Sequence, residues 1–430
     1  MDTNIVAIGF IIFLGLILLE IPVVFALGFG SIVTLILQGT FPLALIPQRI
    51  FVALDSFPLL AIPLFIFVGQ SMNTCEITNK LFRFARILVG HIRGGLAHVN
   101  IVASIFFAGM SGSAVADASG LGLVEIKAMQ DEGFDADFSC AVTAASSTIG
   151  PIIPPSIPLV IYAYMANTSV GRLFLGGVLP GLLMGVSMMV LVYFISIRRG
   201  YKKDKFPPLK EIFKAFIEAI PALLTPVIMI GGIVSGIFTP TEGGAVTAVY
   251  TLFLGFILYR NLTFQDFVNN LKITARTSAT VLLIIGFASI FSWVTTVARI
   301  PQLIVPFILG ITTNKIIILA LINIILLIAG CIMESIAILT ISLPVLFPIV
   351  MNLGVDPVHF GVMMILNLMI GLVTPPFGLC LFAVSGVGHI SVGRVIKATL
   401  PFLIPLIFTL ILVTYFPEIT LWFPNLIMGK

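Results

Sequence analysis

The sequence predicts an all-α polytopic membrane protein built from two repeats, each carrying a re-entrant helical hairpin followed by a Pro-broken helix. Three observations predict it. Of the 430 residues, 59% are hydrophobic and 9% are charged, whereas a soluble chain carries about a quarter charged residues. Apolar runs of helical length recur from end to end, with room for roughly ten to twelve spans of about 20 residues each. Helix-breaking residues also recur at a fixed offset. A shift of 221 takes Gly109 to Gly330, Gly133 to Gly354, Asp135 to Asp356 and Gly150 to Gly371. The same shift takes Pro154-Pro155 to Pro375-Pro376 and Leu179-Pro180 to Leu400-Pro401, and near the start Glu20 matches Glu242 at a shift of 222. Gly and Pro are common in membrane helices, but frequency alone does not keep them in register.

The first repeat spans residues 1–197. Its start, MDTNIVAIGF, has no basic n-region and no small-residue cleavage site, so it reads as a retained first helix. Ile5–Leu19 and Val23–Leu37 are two short apolar runs divided by Glu20-Ile21-Pro22, and Phe57–Val68 is a third, with Pro58 and Pro63 inside it. Residues 80–93 (KLFRFARILVGHIR) interleave Lys80, Arg83 and Arg86 with Leu81, Phe82, Phe84, Ile87 and Leu88. That pattern suits an amphipathic arm lying along the membrane interface. A hairpin at about 100–128 and a broken helix at 138–166 follow, then Gly176–Ile197.

Residues 198–214 form the one dense basic connector, in which Arg198, Arg199, Lys202, Lys203, Lys205, Lys210 and Lys214 oppose only Asp204 and Glu211. The positive-inside rule places it in the cytoplasm. The second repeat, 215–430, has its hairpin at about 317–350 and its broken helix at 358–388. A cytoplasmic middle with few basic residues at either end is what inverted repeats with both termini outside would produce.

The stretch from Ser104 to Pro158 is where chemistry is expected. Apolar helix is interrupted there by Gly, Ser, Thr and Pro, and broken helix at membrane depth is tolerated only where it is buried in protein or lines a cavity. The tip Gly109-Met110-Ser111-Gly112-Ser113 faces Ser146-Ser147-Thr148-Ile149-Gly150-Pro151 by this logic. Carbonyls at Gly150 and Pro151, with the Ser147 and Thr148 hydroxyls, would supply neutral oxygens for a hard monovalent cation such as sodium. Half-helix N-termini at such breaks suit a carboxylate. The second repeat offers Glu334, Asn367, Thr374 and the backbone at Gly330, Gly371 and Val373. Glu334 stands in register with Ser113, and Ile338 with Asp117. An ionisable group at membrane depth costs at least about 2.5 kcal/mol and marks function by default. Asp117, Glu242 and Glu334 are the candidates, with a structural acid–donor pair as the alternative for each.

Other classes are excluded by what these residues do not form. The four histidines (His91, His98, His359, His389) make no metal-ligand spacing, and no P-loop is present. Gly109-Met110-Ser111-Gly112 does not fit a nucleophile elbow. The chain therefore does not read as an enzyme. Cys75, Cys140, Cys331 and Cys380 form no CxxC pair and read as packing residues. The net charge of +4 comes without a basic patch with interleaved aromatics, so nucleic acid is not a partner.

Four motifs carry a resemblance: AGMSGSAVADASGLG (Ala108–Gly122), STIGPIIPPSIPLVIYA (Ser147–Ala163), GIFTPTEGGAVTAVY (Gly236–Tyr250) and GLVTPPFGLCLF (Gly371–Phe382). Together they make nearly the whole chain resemble the large membrane subunit of tripartite ATP-independent periplasmic (TRAP) transporters. The resemblance implies a sodium-driven secondary importer of organic acids, such as sialic acid or four-carbon dicarboxylates, in the bacterial inner membrane. It implies a small four-helix membrane subunit and a periplasmic substrate-binding protein as partners. It implies an elevator mechanism, with Na+ as the coupling ion and no other cofactor. The sodium sites carried over would use Ser111, Ser113, Ser147, Thr148, Gly150, Gly330, Glu334, Gly371 and Thr374. The substrate site would use Gly112, Ser113, Asp117, Ser146, Pro154, Pro155, Pro375 and Pro376. A stand-alone sodium–dicarboxylate symporter shares the two-hairpin logic and stays open at this point. An anion channel would need a continuous pore, and an ATP-driven importer a cytoplasmic loop to dock its ATPase, for which no loop besides Arg198–Lys214 is long enough.

Overall fold

The computed structural model describes residues 3–19, 21–75, 77–300 and 312–429, together with Gln302, Pro306 and Gly310. Among the described residues there is no strand. Scaffold helices come first: α1 (Thr3–Leu18), α2 (Val23–Gln38), α3 (Leu45–Leu54), α4 (Ala61–Thr74) and α5 (Ile77–Val89). The first hairpin is α6 (Gly95–Ser111) and α7 (Ala114–Asp131), followed by half-helices α8 (Ala136–Ser147) and α9 (Ile157–Met165) and by α10 (Val170–Arg199). Next come α11 (Leu209–Val234), α12 (Pro240–Phe253) and α13 (Phe264–Val297). The second hairpin is α14 (Lys315–Ile332) and α15 (Ser335–Asn352). Half-helices α16 (Pro357–Gly371) and α17 (Leu379–Gly388) follow, then α18 (Val392–Tyr415) and α19 (Glu418–Met428).

Local signals place these boundaries. Gly112 takes a left-handed backbone (φ +61°) and reverses the chain, and Ser113 then caps α7, accepting from Ala116 N at 3.4 Å. Ser156 caps α9 and Asn314 caps α14 in the same way. Thr239 with Glu242, and Thr263 with Asp266, form capping boxes at α12 and α13. Glu242 is thereby removed from the site candidates. Its Oε2 accepts from the backbone and hydroxyl of Thr239, both at 2.8 Å, at an exposed helix start. Its sequence match, Glu20, lies outside the described residues.

Among the described residues eight helices are long and apolar enough to cross a membrane. That is fewer than length and hydropathy suggest, because the interruptions at 148–156 and 372–378 split two apolar runs into half-helices too short to cross.

The element bounds follow the 221-residue offset closely: α7 with α15, α8 with α16 and α9 with α17 start within a residue of it. The two hairpins enter the bundle from opposite ends. The base of the first lies by the basic connector, where Gly94 N donates to Lys202 O and Asp204 N to Gly90 O. There Arg86 bridges Asp204 (2.9 Å) and Glu132 at the end of α7 (2.7 Å). The base of the second hairpin lies at the other end, where Lys315 Nζ donates to Gly354 O, Tyr162 OH to Pro357 O, and His359 shares a hydrogen bond with Thr420.

Basic residues of the arm α5 have protein partners: Arg83 pairs with Glu218 at 3.0 Å and Lys80 sits 3.5 Å over the Tyr259 ring. Beside it, the Tyr201 hydroxyl and Arg199 hold the Asp135 carboxyl below its ordinary 3.8. A depressed carboxyl stabilises fully above its unfolded value, and that contribution is lost as pH falls through the folded value. The wild-type chain is therefore expected to lose more thermal stability than Asp135→Asn when detergent samples are acidified below about pH 4. Parallel curves for the two would refute the coupling.

Candidate functional site

Two tips and two breaks converge near the middle of the bundle. At the first break α8 tightens out through i→i+3 bonds: Thr148 N to Ala145 O, Ile149 N to Ser146 O, and Gly150 N to Ser147 O. At the second, α16 ends likewise, Val373 N to Ile370 O and Thr374 N to Gly371 O. Both Pro154-Pro155 and Pro375-Pro376 are cis. Each tip is seated on its own break. A Cβ on Gly112 would stand 3.3 Å from Pro155 O and Ile157 N, and one on Gly371 only 2.6 Å from Gly330 Cα. Gly378 N donates to Cys331 O, tying break to tip in the second repeat.

A cavity of about 450 Å³ lies between the tips. Gly112, Ser113 and Pro151 line it from the first repeat, Glu334, Ser335 and Leu372 from the second, and Arg276 with Thr277 and Thr280 from α13. Glu334 caps α15: its Oε2 accepts from Ile336 N at 2.9 Å and Ala337 N at 3.2 Å. The cavity therefore meets the N-termini of two helices, α7 and α15, the second already capped by the Glu334 carboxylate, and the side chain of Arg276. The α7 end and the arginine have the charge that suits a carboxylate.

The remaining predicted residues do not line this cavity. Asp117 is 5% exposed, and a Cβ on Gly150 would lie 2.5 Å from its Oδ2, so the two are packed together. Ser147 and Thr148 are buried and donate to Ala144 O (2.8 Å) and Ala145 O (2.6 Å). Thr374 donates to Ile370 O at 2.7 Å. With their protons so committed, these hydroxyls present oxygen lone pairs, which suits a cation. Ser146 is turned away: it donates to Asn100 Oδ1 at 2.7 Å, within a buried cluster that includes Thr143. Pro154, Pro155, Pro375 and Pro376 shape the breaks and do not line the cavity. The side chain of Ser111 lies outside the described residues. Asn367, buried on α16, donates to Asn323 O and Oδ1.

The family model "Tripartite ATP-independent periplasmic transporter, DctM component" matches residues 10–419. The chain belongs to this family. This DctM-family chain is 48% identical over 416 residues to the sialic acid TRAP transporter large permease protein SiaM of Vibrio cholerae, covering 97% of each chain. It is 39% identical to the C4-dicarboxylate TRAP transporter large permease protein DctM of the same species, covering 99% of this chain and 98% of that one. In fold it is similar to the Alcanivorax borkumensis YdaH transporter, with a TM-score of 0.63 at 14% identity over 86% and 88% of the two chains. The DctM-family chain is thus a multi-pass membrane protein with a transporter fold.

Sequence reasoning missed Arg276. A signal was available: an arginine in the apolar run of residues 273–297 is costly in a membrane and points to function. For Glu334 the structure adds a second role, as a cap. Glu334→Ala in the DctM-family chain is expected to lower stability by about 0.5–2 kcal/mol, the usual cost of losing a cap. Glu334→Gln, which keeps one acceptor oxygen, loses less. Equal melting temperatures for the wild type and Glu334→Ala would refute the cap's contribution.

Proposed function

We infer that this chain is the large permease of a sodium-coupled importer of an organic acid anion. It acts in the bacterial inner membrane with a small four-helix subunit and a periplasmic binding protein that delivers the substrate. It is a carrier rather than an enzyme. The observation that carries the reading is the cavity in which two helix N-termini and Arg276 converge. That set is complementary to a carboxylate, and the buried hydroxyls of Ser147 and Thr148 with the half-buried hydroxyl of Thr374 offer oxygens for sodium. Sodium bound there would order the tips that form the anion site. By linkage the anion would raise sodium affinity by the same factor.

Hairpins entering from opposite ends support inverted repeats, with the connector in the cytoplasm and both termini outside. Each tip is seated on its own break, which supports movement of hairpins and half-helices as one body, an elevator. The higher identity to the sialic acid relative than to the dicarboxylate relative favours a sialic acid among candidate substrates.

The test is uptake into proteoliposomes holding the chain, its small subunit and the binding protein. Sodium and proton gradients are imposed separately, and the binding protein is added or left out. Uptake requiring both sodium and the binding protein is expected. Uptake driven by a proton gradient alone would overturn the coupling, and sodium-driven uptake without the binding protein would make the chain a stand-alone symporter.

A further inference from the structure

A second cavity, of about 510 Å³, lies at the end of the bundle away from the basic connector. Its position follows from its walls. Tyr164, at the end of α9, donates to Ala53 O of α3, and α15 contributes Leu343–Pro348, close to the base of the second hairpin. One wall is thus formed by α3 and α13 and the other by α9 and α15.

The chemistry of the first wall is that of an anion site. Arg49 is half-buried, with its guanidinium carbon 5.4 Å from the centre of the Trp293 ring. Phe41 holds that ring edge-on at 4.8 Å, and Ser289 donates to Arg49 O. Trp293 therefore flanks the guanidinium, while the Ser289 hydrogen bond holds the Arg49 backbone. Among the described residues Arg49 takes part in no ion pair. Ser292 and Thr296, beside Trp293 along the same cavity, add hydroxyls. A planar guanidinium with an unclaimed edge suits a carboxylate bidentately. An indole beside it suits the C–H face of a sugar or a short carbon chain.

We propose that Arg49 and Trp293 form a second, separate binding site for a carboxylate-bearing organic anion on the side of the chain opposite the connector. The site holds the anion between scaffold and hairpin before it reaches the central cavity. That staging role rests on the import reading above, whereas binding itself does not. Pro348 on the facing helix lacks the N–H that would bond the Pro344 carbonyl, so this wall, which includes Pro344, also offers a backbone acceptor for a hydroxyl proton of a polyhydroxy acid.

The chain has two tryptophans, so Trp422→Phe leaves Trp293 as its reporter. The experiment uses the full chain with this substitution in lipid nanodiscs, titrated with N-acetylneuraminate and with succinate at constant sodium chloride. The expected result is a saturable change in Trp293 emission with one or both anions. Adding Arg49→Ala weakens it at least tenfold, Arg49→Lys weakens it less, and Arg276→Ala leaves it within twofold. No saturable change with either anion overturns the site, as does a change that both Arg49 variants leave intact. The arms separate the two proposals: sodium-driven uptake with a silent Trp293 keeps the import reading and removes this site, while a responsive Trp293 without uptake does the reverse.

Discussion

Arg276→Ala is expected to lower uptake at subsaturating substrate by roughly 10- to 150-fold, the equivalent of one lost hydrogen bond to a charged group at about 1.5–3 kcal/mol. The loss should be largest there because the central cavity brings Arg276 together with Ser113 and Glu334, and the guanidinium is its cation. The first tip offers only the partial charge of a helix end, which is weaker, and the end at the second tip is already capped by Glu334. Arg276→Lys keeps the charge without the planar fork and is expected to fall between the two. If Arg276 positions the anion in the bound state only, the loss appears in KM with the maximal rate kept. Initial rates across a substrate series in sodium-energised proteoliposomes decide it. Rates for Arg276→Ala within twofold of the wild type at every concentration would remove Arg276 from the site.

Gly371→Ala is expected to abolish uptake and to lower thermal stability, by at least the roughly 1–3 kcal/mol typical of overpacking. The added methyl would stand 2.6 Å from Gly330 Cα and 2.7 Å from Gly330 C. Both are backbone atoms, so no side chain can swing aside, and the second hairpin has to lift off its break. Gly386→Ala is the control, because a Cβ there meets nothing within 4 Å. Thermal unfolding of the purified variants, read beside uptake, tests the pair. A Gly371→Ala chain as stable and active as Gly386→Ala would show that the contact is not needed.

Much of this was legible in the sequence, for a physical reason. Gly, Pro and small hydroxyl residues at membrane depth admit few structures, so their register carried the hairpins, the breaks and the 221-residue offset. Charged side chains were harder to read. Glu242 looked like a membrane acid but is an exposed cap, because a capping box depends on whether the helix starts at the surface. Ser146 looked like a site residue beside Ser147, but one residue turns a helix by about 100°, and that carried it to Asn100 instead. Arg276 and Arg49 were passed over since neither sits in a motif. What makes each a candidate is the wall across the cavity, supplied by residues far away in the chain.

The two ends of the bundle are fastened by different chemistry. At the connector end Arg86 ties Asp204 to Glu132 and Arg199 ties to Asp135 and Asp137, through ion pairs on partly exposed side chains. At the other end the fasteners include the hydroxyl of Tyr162 on Pro357 O and the His359–Thr420 bond. Exposed ion pairs weaken as the Debye length shrinks, from about 10 Å at 0.1 M salt to about 3 Å at 1 M. Hydrogen bonds between uncharged groups do not. Among the described residues, ionic strength therefore loosens the connector end more than the other, and salt inside a vesicle is not equivalent to salt outside it.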